Sequence, residues 1–374
     1  MLMKQSLHIV SFDVPFPPNY GGVIDVFYKI KALSELNIDI YLHVFEFGRG
    51  RPENLKKYCK HIYYYKRNTV VSSVFSTIPF RAKSRYNNVL LENLKNSNAP
   101  ILFEGLHTTV PLLKNTFANR ITLVRAHNIE HEYLNGLAKS EKNIFKKIFF
   151  KLEAIKLKAY EKILDKADNI LTISPQEQSY FNTKFKNKAV YIPAFHKNNN
   201  IKHLSEKGDY ILYYGDLRIA DNIKSALFLI AAFKEINYPI IFASSFINKD
   251  ISKKIKLHSN MKFVVIKDGD HLDLLLEKAH INVLPTFQKT GIKLKLINAL
   301  FNGRFCLVNI DMVESTGLQD LCEIANTKQQ FIEKTNQLMG KRFSIKEFEK
   351  RKKSKHLKTF NTKENAQKII DLIS

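Results

Sequence analysis

Residues 7–45, LHIVSFDVPFPPNYGGVIDVFYKIKALSELNIDIYLHVF, decide the fold. The apolar runs at 7–12 and 38–45 have the composition of buried strands. Residues 22–36, which lie between them, carry apolar side chains at helical spacing. A helix that joins two buried apolar strands predicts a βαβ unit with a parallel sheet.

The same alternation of apolar runs and amphipathic stretches continues along the chain. Further strands are predicted at 61–66, 100–105, 121–126, 169–174 and 189–194, and then at 210–215, 239–244, 262–267, 281–285 and 304–308. A polar run at 196–200 separates the two sets. We therefore predict an α/β chain with two Rossmann-like, doubly wound domains that face each other across a cleft. The predicted domains are residues 1–198 and 199–343, and residues 344–374 form a basic helical segment.

Composition narrows the class of protein. A chain of 374 residues is long enough for two domains with well-buried cores. Its three cysteines form no CxxC pair, which excludes a disulfide scaffold and a cysteine-based zinc site and favours the cytoplasm. Neither a signal peptide nor an uncharged apolar run of membrane-spanning length is apparent. The net charge of +24 favours an anionic partner, which composition alone leaves open among nucleic acid, lipid headgroups and phosphorylated small molecules.

Glycine and small polar residues follow many of the predicted strands. Gly21-Gly22, Glu104-Gly105, His127, Gly215-Asp216 and Thr290-Gly291 all lie just beyond an apolar run or at its end. In open α/β sheets ligands bind beyond the carboxyl ends of the strands, so these positions predict the binding edge of each sheet. The alternative is that they are ordinary turn residues.

Two glycine-containing stretches have the character of phosphate-binding helix starts. PFPPNYGG at 15–22 is a rigid turn that opens a helix, and PTFQKTGIKLKLINAL at 285–300 follows a predicted strand. In the second stretch, Lys293 and Lys295 would oppose the helix dipole unless an anion binds there. A diphosphate at that helix start is the sharper prediction. An ordinary loop and two solvated lysines are the alternatives.

His127, Glu130 and His131 match the spacing of an inverted zinc-peptidase motif. Zinc binding requires both histidines on one face of a helix, whereas His127 directly follows an apolar strand and no third ligand is evident. The position favours a hydrogen-bonding or acid–base histidine at the mouth of the strand. A second metal-like motif, Asp268-Gly269-Asp270, is predicted to be a turn.

Residues 142–164, KNIFKKIFFKLEAIKLKAYEKIL, form a lysine-rich amphipathic helix. Its apolar stripe favours a helix that faces the core with its lysines in solvent. A helix that lies on an anionic membrane is the alternative. The same pair of interpretations applies to KRKKSK at 350–355.

Taken in order, several segments resemble those of the GT-B glycosyltransferases, and specifically the retaining family 4 group. The segments are PFPPNYGG (15–22), HNIEHEY (127–133), LTISPQE (171–177), YYGDLRIADN (213–222) and PTFQKTGIKLKLINALFNG (285–303). The last is the most specific. The resemblance implies a nucleotide-sugar donor held mainly by the C-terminal domain, a C-terminal helix that crosses back to the first domain, and no metal or other cofactor.

The resemblance also implies roles for individual residues. His127 and Glu104 become the catalytic candidates, with His127 near the anomeric carbon. The donor-binding candidates are Gly21, Gly22, Gly215, Asp216, Arg218, Thr290, Gly291, Ile292, Lys293, Lys295 and Asn298. Within this set, Lys293 and Lys295 would hold the diphosphate under the loop at 215–218. One departure stands out, because Thr290 and Asn298 occupy the positions of the family's two glutamates.

The resulting expectation is a glycosyltransferase that moves a hexose, with retention, from a nucleotide-diphosphate sugar to a saccharide or lipid-linked saccharide. Surface polysaccharide or glycan synthesis is the expected context, with peripheral contact to an anionic membrane on its cytoplasmic face and no nucleic-acid partner. Two rivals stay open from the residues alone: a zinc hydrolase built on His127, Glu130 and His131, and a basic nucleic-acid-binding protein.

Overall fold

The computed structural model describes residues 5–68, 76–114, 117, 119–141, 143–288, 294–314 and 316–374. The chain forms two compact units, Met1–Lys197 together with Phe360–Ser374, and Asn198–Thr359. Each unit contains its own parallel sheet and its own apolar core. None of the helices described is long and apolar enough to span a bilayer.

The first unit contains a seven-stranded sheet with helices around it. All neighbouring strands are parallel, and their order is β3-β2-β1-β4-β5-β6-β7. The strands are β1 Ser6–Ser11, β2 Asp39–Glu46, β3 His61–Lys66, β4 Ile101–Glu104, β5 Thr122–Ala126, β6 Asn169–Thr172 and β7 Ala189–Tyr191. The helices are α1 Gly21–Glu35, α2 Phe80–Lys83, α3 Asn88–Lys95, α4 Val110–Lys114, α5 Glu130–Ser140, α6 Ile144–Tyr160, α7 Pro175–Lys184 and, from the C-terminus, α16 Thr362–Ile373.

The second unit repeats this design with six parallel strands in the order β10-β9-β8-β11-β12-β13. The strands are β8 Tyr210–Tyr214, β9 Ile240–Ser244, β10 Met261–Val265, β11 Ala279–Val283, β12 Phe305–Val308 and β13 Glu323–Ile324. The helices are α8 Ala220–Phe233, α9 Lys249–Ile255, α10 Gly269–Lys278, α11 Leu294–Asn302, α12 Ile310–Val313, α13 Lys328–Gly340, α14 Ile345–Lys353 and α15 Lys355–Lys358. Both orders reverse next to the first strand of the unit, which is the switch point where doubly wound sheets bind ligands.

The C-terminal segment corrects one prediction. We expected 344–374 to cross as a whole to the first domain, but α14 and α15 belong to the second unit. Arg351 explains this, because its buried guanidinium donates to the backbone oxygens of Leu300 and Gly303 within the second unit. Only α16 joins the first unit, where the Thr362 hydroxyl donates to the oxygen of His196 at 3.0 Å.

A second prediction, that the apolar stripe of the lysine-rich helix α6 faces the core, is largely wrong. Its core-facing side consists of Glu153, Ala154, Leu157 and Tyr160, and Glu153 accepts a hydrogen bond from the backbone of Phe80 at 2.7 Å. The stripe that we expected to face the core points largely to solvent. Its exposed members are Phe145, Ile148, Leu152 and Ile155, and Ile144 beside them is exposed as well. The helix therefore has one buried face and one exposed apolar face.

Candidate functional site

The carboxyl edge of the first sheet is built around a buried network of charges. Asp25 and Lys29 come from α1, Glu104 ends β4 and Arg125 lies near the end of β5, and all four are fully buried. Lys29 binds Asp25 at 2.9 Å and Glu104 at 2.6 Å. Arg125 binds both oxygens of Asp25, at 2.9 and 3.1 Å. Two carboxylates and two cations thus neutralise one another in the core.

The network keeps both carboxylates ionised. Burial alone would raise the pKa of Asp25, but Arg125 and Lys29 outweigh it and hold that pKa far below its usual range. The pKa of Glu104 is likewise lowered, because Lys29 and His127 overcome the effect of burial. Neither carboxylate is free to act as a nucleophile or a proton acceptor.

His127 lies at the mouth of β5, and its ring is held from two sides. Its Nε2 is 3.1 Å from Oε2 of Glu104, and its ring meets the ring of Phe12 edge-on at 5.6 Å between centroids. A proton on Nε2 donates to the carboxylate and leaves Nδ1 as the acceptor. The buried Nδ1 has no hydrogen-bond partner among the described residues. Glu104 therefore positions His127, and Nδ1, which lies 3.9 Å from Oδ2 of Asp25, is left without a hydrogen bond.

Gly21 and Gly22 begin α1 at the same edge, as the sequence predicts. A Cβ on Gly22 would come within 2.8 Å of the Phe12 ring, whereas a Cβ on Gly21 would meet nothing within 4 Å. Gly22 therefore allows Phe12 to lie against the helix start and to reach His127. Gly21 leaves open space at that helix start.

The structure separates the three residues of the zinc motif. His127 precedes α5 and binds the carboxylate at the end of β4. Glu130 lies 3.3 Å from His107, and His131 lies 3.3 Å from Glu161. Each member of the motif therefore faces a different partner, and the three form no shared site.

One set of candidate metal ligands does converge among the described residues, namely Asp25, Glu104 and His127 within 4.8 Å. Lys29 and Arg125 already neutralise the two carboxylates of this set. Because a cation would have to displace those two side chains, the donor set is a poor fit for a metal ion.

The corresponding edge of the second sheet is built from hydrogen bonds rather than buried charges. Lys295, in the first turn of α11, lies with Nζ 3.2 Å from the Asn222 side chain and 3.4 Å from the backbone oxygen of Pro285. Asn222 also donates to the oxygen of Asp216 at 3.0 Å. A Cβ on Gly215 would approach the Asn222 amide to 3.0 Å, so any larger residue here would press on the Asn222 side chain. Asn222 thus ties the loop after β8 to Lys295.

Arg218 and Asn298 have partners that the sequence did not indicate. The guanidinium of Arg218, half exposed, binds Asp216 at 2.6 Å. The Asn298 oxygen accepts hydrogen bonds from Asn198 at 3.0 Å and Asn302 at 2.8 Å. Both candidates are therefore held by neighbours within the second unit.

Four donor-binding candidates, Thr290, Gly291, Ile292 and Lys293, lie outside the described residues, and their roles stay predictions. The other metal-like motif, Asp268-Gly269-Asp270, is the start of helix α10 and not the turn that we expected. Asp268 caps α10 by accepting a hydrogen bond from the backbone of His271 at 2.8 Å.

Sequence reasoning missed Asp25, Lys29 and Arg125, although each left a signal. Asp25 and Lys29 are charges four residues apart on an otherwise apolar helix face, and Arg125 is a charge inside an apolar strand. Asp221 was also missed. Its carboxylate accepts from the Thr286 hydroxyl at 2.7 Å and the Phe287 backbone at 2.8 Å, which fixes the loop after β11.

No family model matches the sequence. A curated protein of Klebsiella pneumoniae, described as an uncharacterized 44.6 kDa protein in the cps region, is 25% identical over 332 residues. The match covers 83% of this chain and 84% of that protein.

Solved structures match the chain over nearly its whole length. A point mutant of S. aureus TarM, in complex with fondaparinux, α-GlcNAc-glycerol and UDP, has a TM-score of 0.61 at 12% identity, and the match covers 99% of this chain and 97% of that one. A UDP-glucose:anthocyanidin 3-O-glucosyltransferase in complex with UDP has a TM-score of 0.58 at 13% identity, with 100% and 99% covered. The chain has the GT-B fold. This fold confirms the resemblance at the level of GT-B, whereas membership of family 4 stays a prediction.

Proposed function

We propose that this GT-B chain is a glycosyltransferase that moves a hexose from a nucleotide-diphosphate sugar to a saccharide or lipid-linked saccharide. The observation that carries the proposal is the polar edge of the second sheet, where Lys295, Asn222 and Gly215 meet at the switch point of a GT-B domain. In doubly wound folds this is the place where a nucleotide binds. The similar structures that contain UDP support the same class of donor.

Lys295 is the residue that we assign to the diphosphate. It lies in the first turn of α11, where a cation opposes the helix dipole and a bound anion relieves that penalty. Its ammonium would stabilise the charge on the departing nucleotide. Arg218, which is half exposed on the neighbouring loop, would add a second cation once it exchanges Asp216 for the diphosphate.

We propose retention because the sequence resembles the retaining family 4 group, and the first unit limits how retention would be achieved. Asp25 and Glu104 are buried and bound by cations, so neither is available to attack the anomeric carbon. The acceptor hydroxyl would then enter on the face that the diphosphate leaves, and its proton would pass to the leaving phosphate. His127, whose Nδ1 has no hydrogen-bond partner in the described part of the chain, would orient the transferred sugar. No step in this scheme uses a metal ion.

The exposed face of α6 supports contact with an anionic membrane. Phe145 and Ile155 are 80% and 68% exposed, far beyond what a core-facing stripe allows. Exposed lysines at 151 and 158 flank the stripe. Apolar side chains between lysines suit the interface of an anionic bilayer, where the chains enter the headgroup region and the ammoniums meet phosphates. A lipid-linked acceptor would be reached from that surface.

The cps location of the Klebsiella relative supports polysaccharide synthesis as the context.

Nucleotide binding tests the donor assignment. Thermal-shift titration with UDP, GDP, ADP and CMP in EDTA should show stabilisation by at least one nucleoside diphosphate. Lys295→Ala should weaken that binding about tenfold or more, whereas Lys253→Ala, which removes an exposed lysine from α9, should leave it within twofold. Equal binding by both variants would place the diphosphate elsewhere, and binding that requires a divalent metal would contradict the metal-free scheme.

Vesicle binding tests the membrane assignment. The chain should sediment with phosphatidylglycerol vesicles and much less with phosphatidylcholine. Phe145→Ser should reduce sedimentation about tenfold, because a buried aromatic side chain contributes roughly 1.5–3 kcal/mol. Leu257→Ser is the matched control, since Leu257 is also 80% exposed but lies in the second unit. An equal loss in both variants, or equal binding to both lipids, would contradict the assignment.

A further inference from the structure

Three arginines of the first unit gather beside the loop that follows β1. Arg67 comes directly after β3, and Arg81 and Arg85 lie in and just after α2. The backbone of Asn68 donates to the oxygen of Ser84 at 2.9 Å, which joins the two segments. Arg85 donates from Nε to the oxygen of Phe12 at 2.7 Å and from Nη1 to the oxygen of Arg81 at 2.9 Å.

None of these three guanidinium groups forms an ion pair with a carboxylate in the part of the chain that the structure describes. That part includes every Asp and Glu of the sequence, because the remaining segments contain neither. Arg85 is 8% exposed, and the buried Nε of Arg67 has no hydrogen-bond partner within the same part of the chain. Buried cations without counter-ions are costly and therefore rare in folded proteins.

The carboxylates whose charges reach the cluster are already engaged. Asp13 accepts hydrogen bonds from the Tyr20 hydroxyl and the Val14 backbone, each at 2.9 Å. Glu130 faces His107 at 3.3 Å. For Arg67 and Arg85, the consequence of burial beside other guanidinium groups is a lowered pKa.

Arg85 shows this consequence most clearly. Its pKa is lowered to about 9 by burial and by the charges of Arg67 and Arg81. Burial also lowers the pKa of Arg67, and Arg81 adds to the effect. An anion bound between the three groups would offset the repulsion that adds to the effect of burial on both pKa values.

We propose that Arg67, Arg81 and Arg85 bind a phosphoryl group of the acceptor. This inference rests on the proposed glycosyl transfer and specifies its substrate as a phosphorylated one. Three guanidinium groups match a phosphate or diphosphate, because each offers paired N–H donors and together they balance a charge of −2 or more. A single carboxylate would leave most of that positive charge uncompensated.

The cluster lies next to the group that we assign to the transferred sugar. Phe12 connects the two, since its backbone oxygen binds Arg85 and its ring contacts His127. Arg81 also acts on Glu130, whose pKa it helps to lower. A phosphoryl group held here would place the attached sugar of the acceptor at the carboxyl edge of the first sheet.

The test uses the full chain with saturating UDP, so that pyrophosphate cannot enter the nucleotide site. Calorimetric titration with inorganic pyrophosphate and with geranyl diphosphate should show binding of both. Arg81→Gln and Arg67→Gln should each weaken that binding about tenfold or more and leave UDP affinity unchanged. Arg51→Gln is the charge-matched control, because Arg51 is exposed and paired with Glu46. It should stay within twofold of the wild type.

The outcomes separate this inference from the proposed function. Binding of UDP without arginine-dependent binding of diphosphates would overturn the inference alone. Arginine-dependent binding of diphosphates without any nucleotide binding would support the anion site and contradict the proposed function. Binding of pyrophosphate with exclusion of geranyl diphosphate would show a site for free phosphate and would overturn the assignment to the acceptor.

Discussion

The first unit contains two groups of buried or half-buried cations at one edge of its sheet. One group is paired with carboxylates and the other is not. Lys29 and Arg125 are fully buried, and each binds a carboxylate within 3 Å. Arg67, Arg81 and Arg85 have no carboxylate partner among the described residues. The paired cations belong to the architecture, because they fix α1, β4 and β5 around His127. The unpaired cations gain their counter-ion only when a ligand arrives.

Replacing Asp25 should have the largest effect on stability. Asp25→Asn leaves Lys29 and Arg125 with one carboxylate between them in a dry core. Removing one partner from a buried ion pair costs about 3–5 kcal/mol. Denaturant unfolding at pH 7 should show this loss. Glu206→Gln, which breaks the exposed pair with Arg342, should cost less than about 1 kcal/mol. Similar costs for the two variants would mean that the buried network is not structural.

Glu177 extends the comparison to a buried acid. Its carboxyl has no cation partner in the described part of the chain. Burial raises its pKa to about 7, although Ser174 and backbone hydrogen bonds oppose the shift. The folded protein therefore holds a proton that the unfolded chain releases, so this group's contribution to stability is complete below about pH 4.5 and is lost as the pH rises through 7. At pH 8, Glu177→Gln should be about 1–3 kcal/mol more stable than the wild type. At pH 4.5 the two should be equal. A constant difference across that range would contradict the raised pKa.

Buried histidines should give the free energy of unfolding the opposite dependence on pH, in a lower pH range. His8 is 2% exposed and bonded to His43 at 2.9 Å and Ser97 at 2.7 Å. Burial, and to a lesser extent Arg120, lowers the pKa of His8 to about 4. Its contribution to stability is therefore present above about pH 6.5 and lost as the pH falls toward 4. His8→Asn should reduce the acid sensitivity of unfolding in that window by about 1–3 kcal/mol. If the free energy of unfolding of His8→Asn fell with acid as steeply as that of the wild type, protonation of His8 would not destabilise the fold.

Neutralising an unpaired arginine should have the smallest effect on stability. In buffer without phosphate, Arg81→Gln removes repulsion and breaks no ion pair among the described residues, so the free energy of unfolding should change by less than about 0.5 kcal/mol or increase slightly. Adding pyrophosphate should raise the melting temperature of the wild type and not that of the variant. If the free energy of unfolding of Arg81→Gln fell by several kcal/mol without ligand, the arginine cluster would stabilise the fold, as the Asp25 network does.

The fold was predictable because parallel strands are buried on both faces and form continuous apolar runs. All twelve predicted strands appear with small shifts at their ends, and β13 was missed because it has only two residues. The charge clusters were harder to predict. Arg67, Arg81 and Arg85 meet only after β3 and α2 come together. The outward face of α6 depended on knowing that Glu153 and Leu157 face the core.

Turnover of a nucleotide sugar tests the account most directly. With nucleotide sugars and a prenyl-diphosphate saccharide in EDTA, the wild type should release the nucleoside diphosphate and glycosylate the acceptor. His127→Ala should bind the nucleotide as tightly and turn over at least about a hundredfold more slowly. Nucleotide binding without turnover of any nucleotide sugar, or full activity of His127→Ala, would contradict the account.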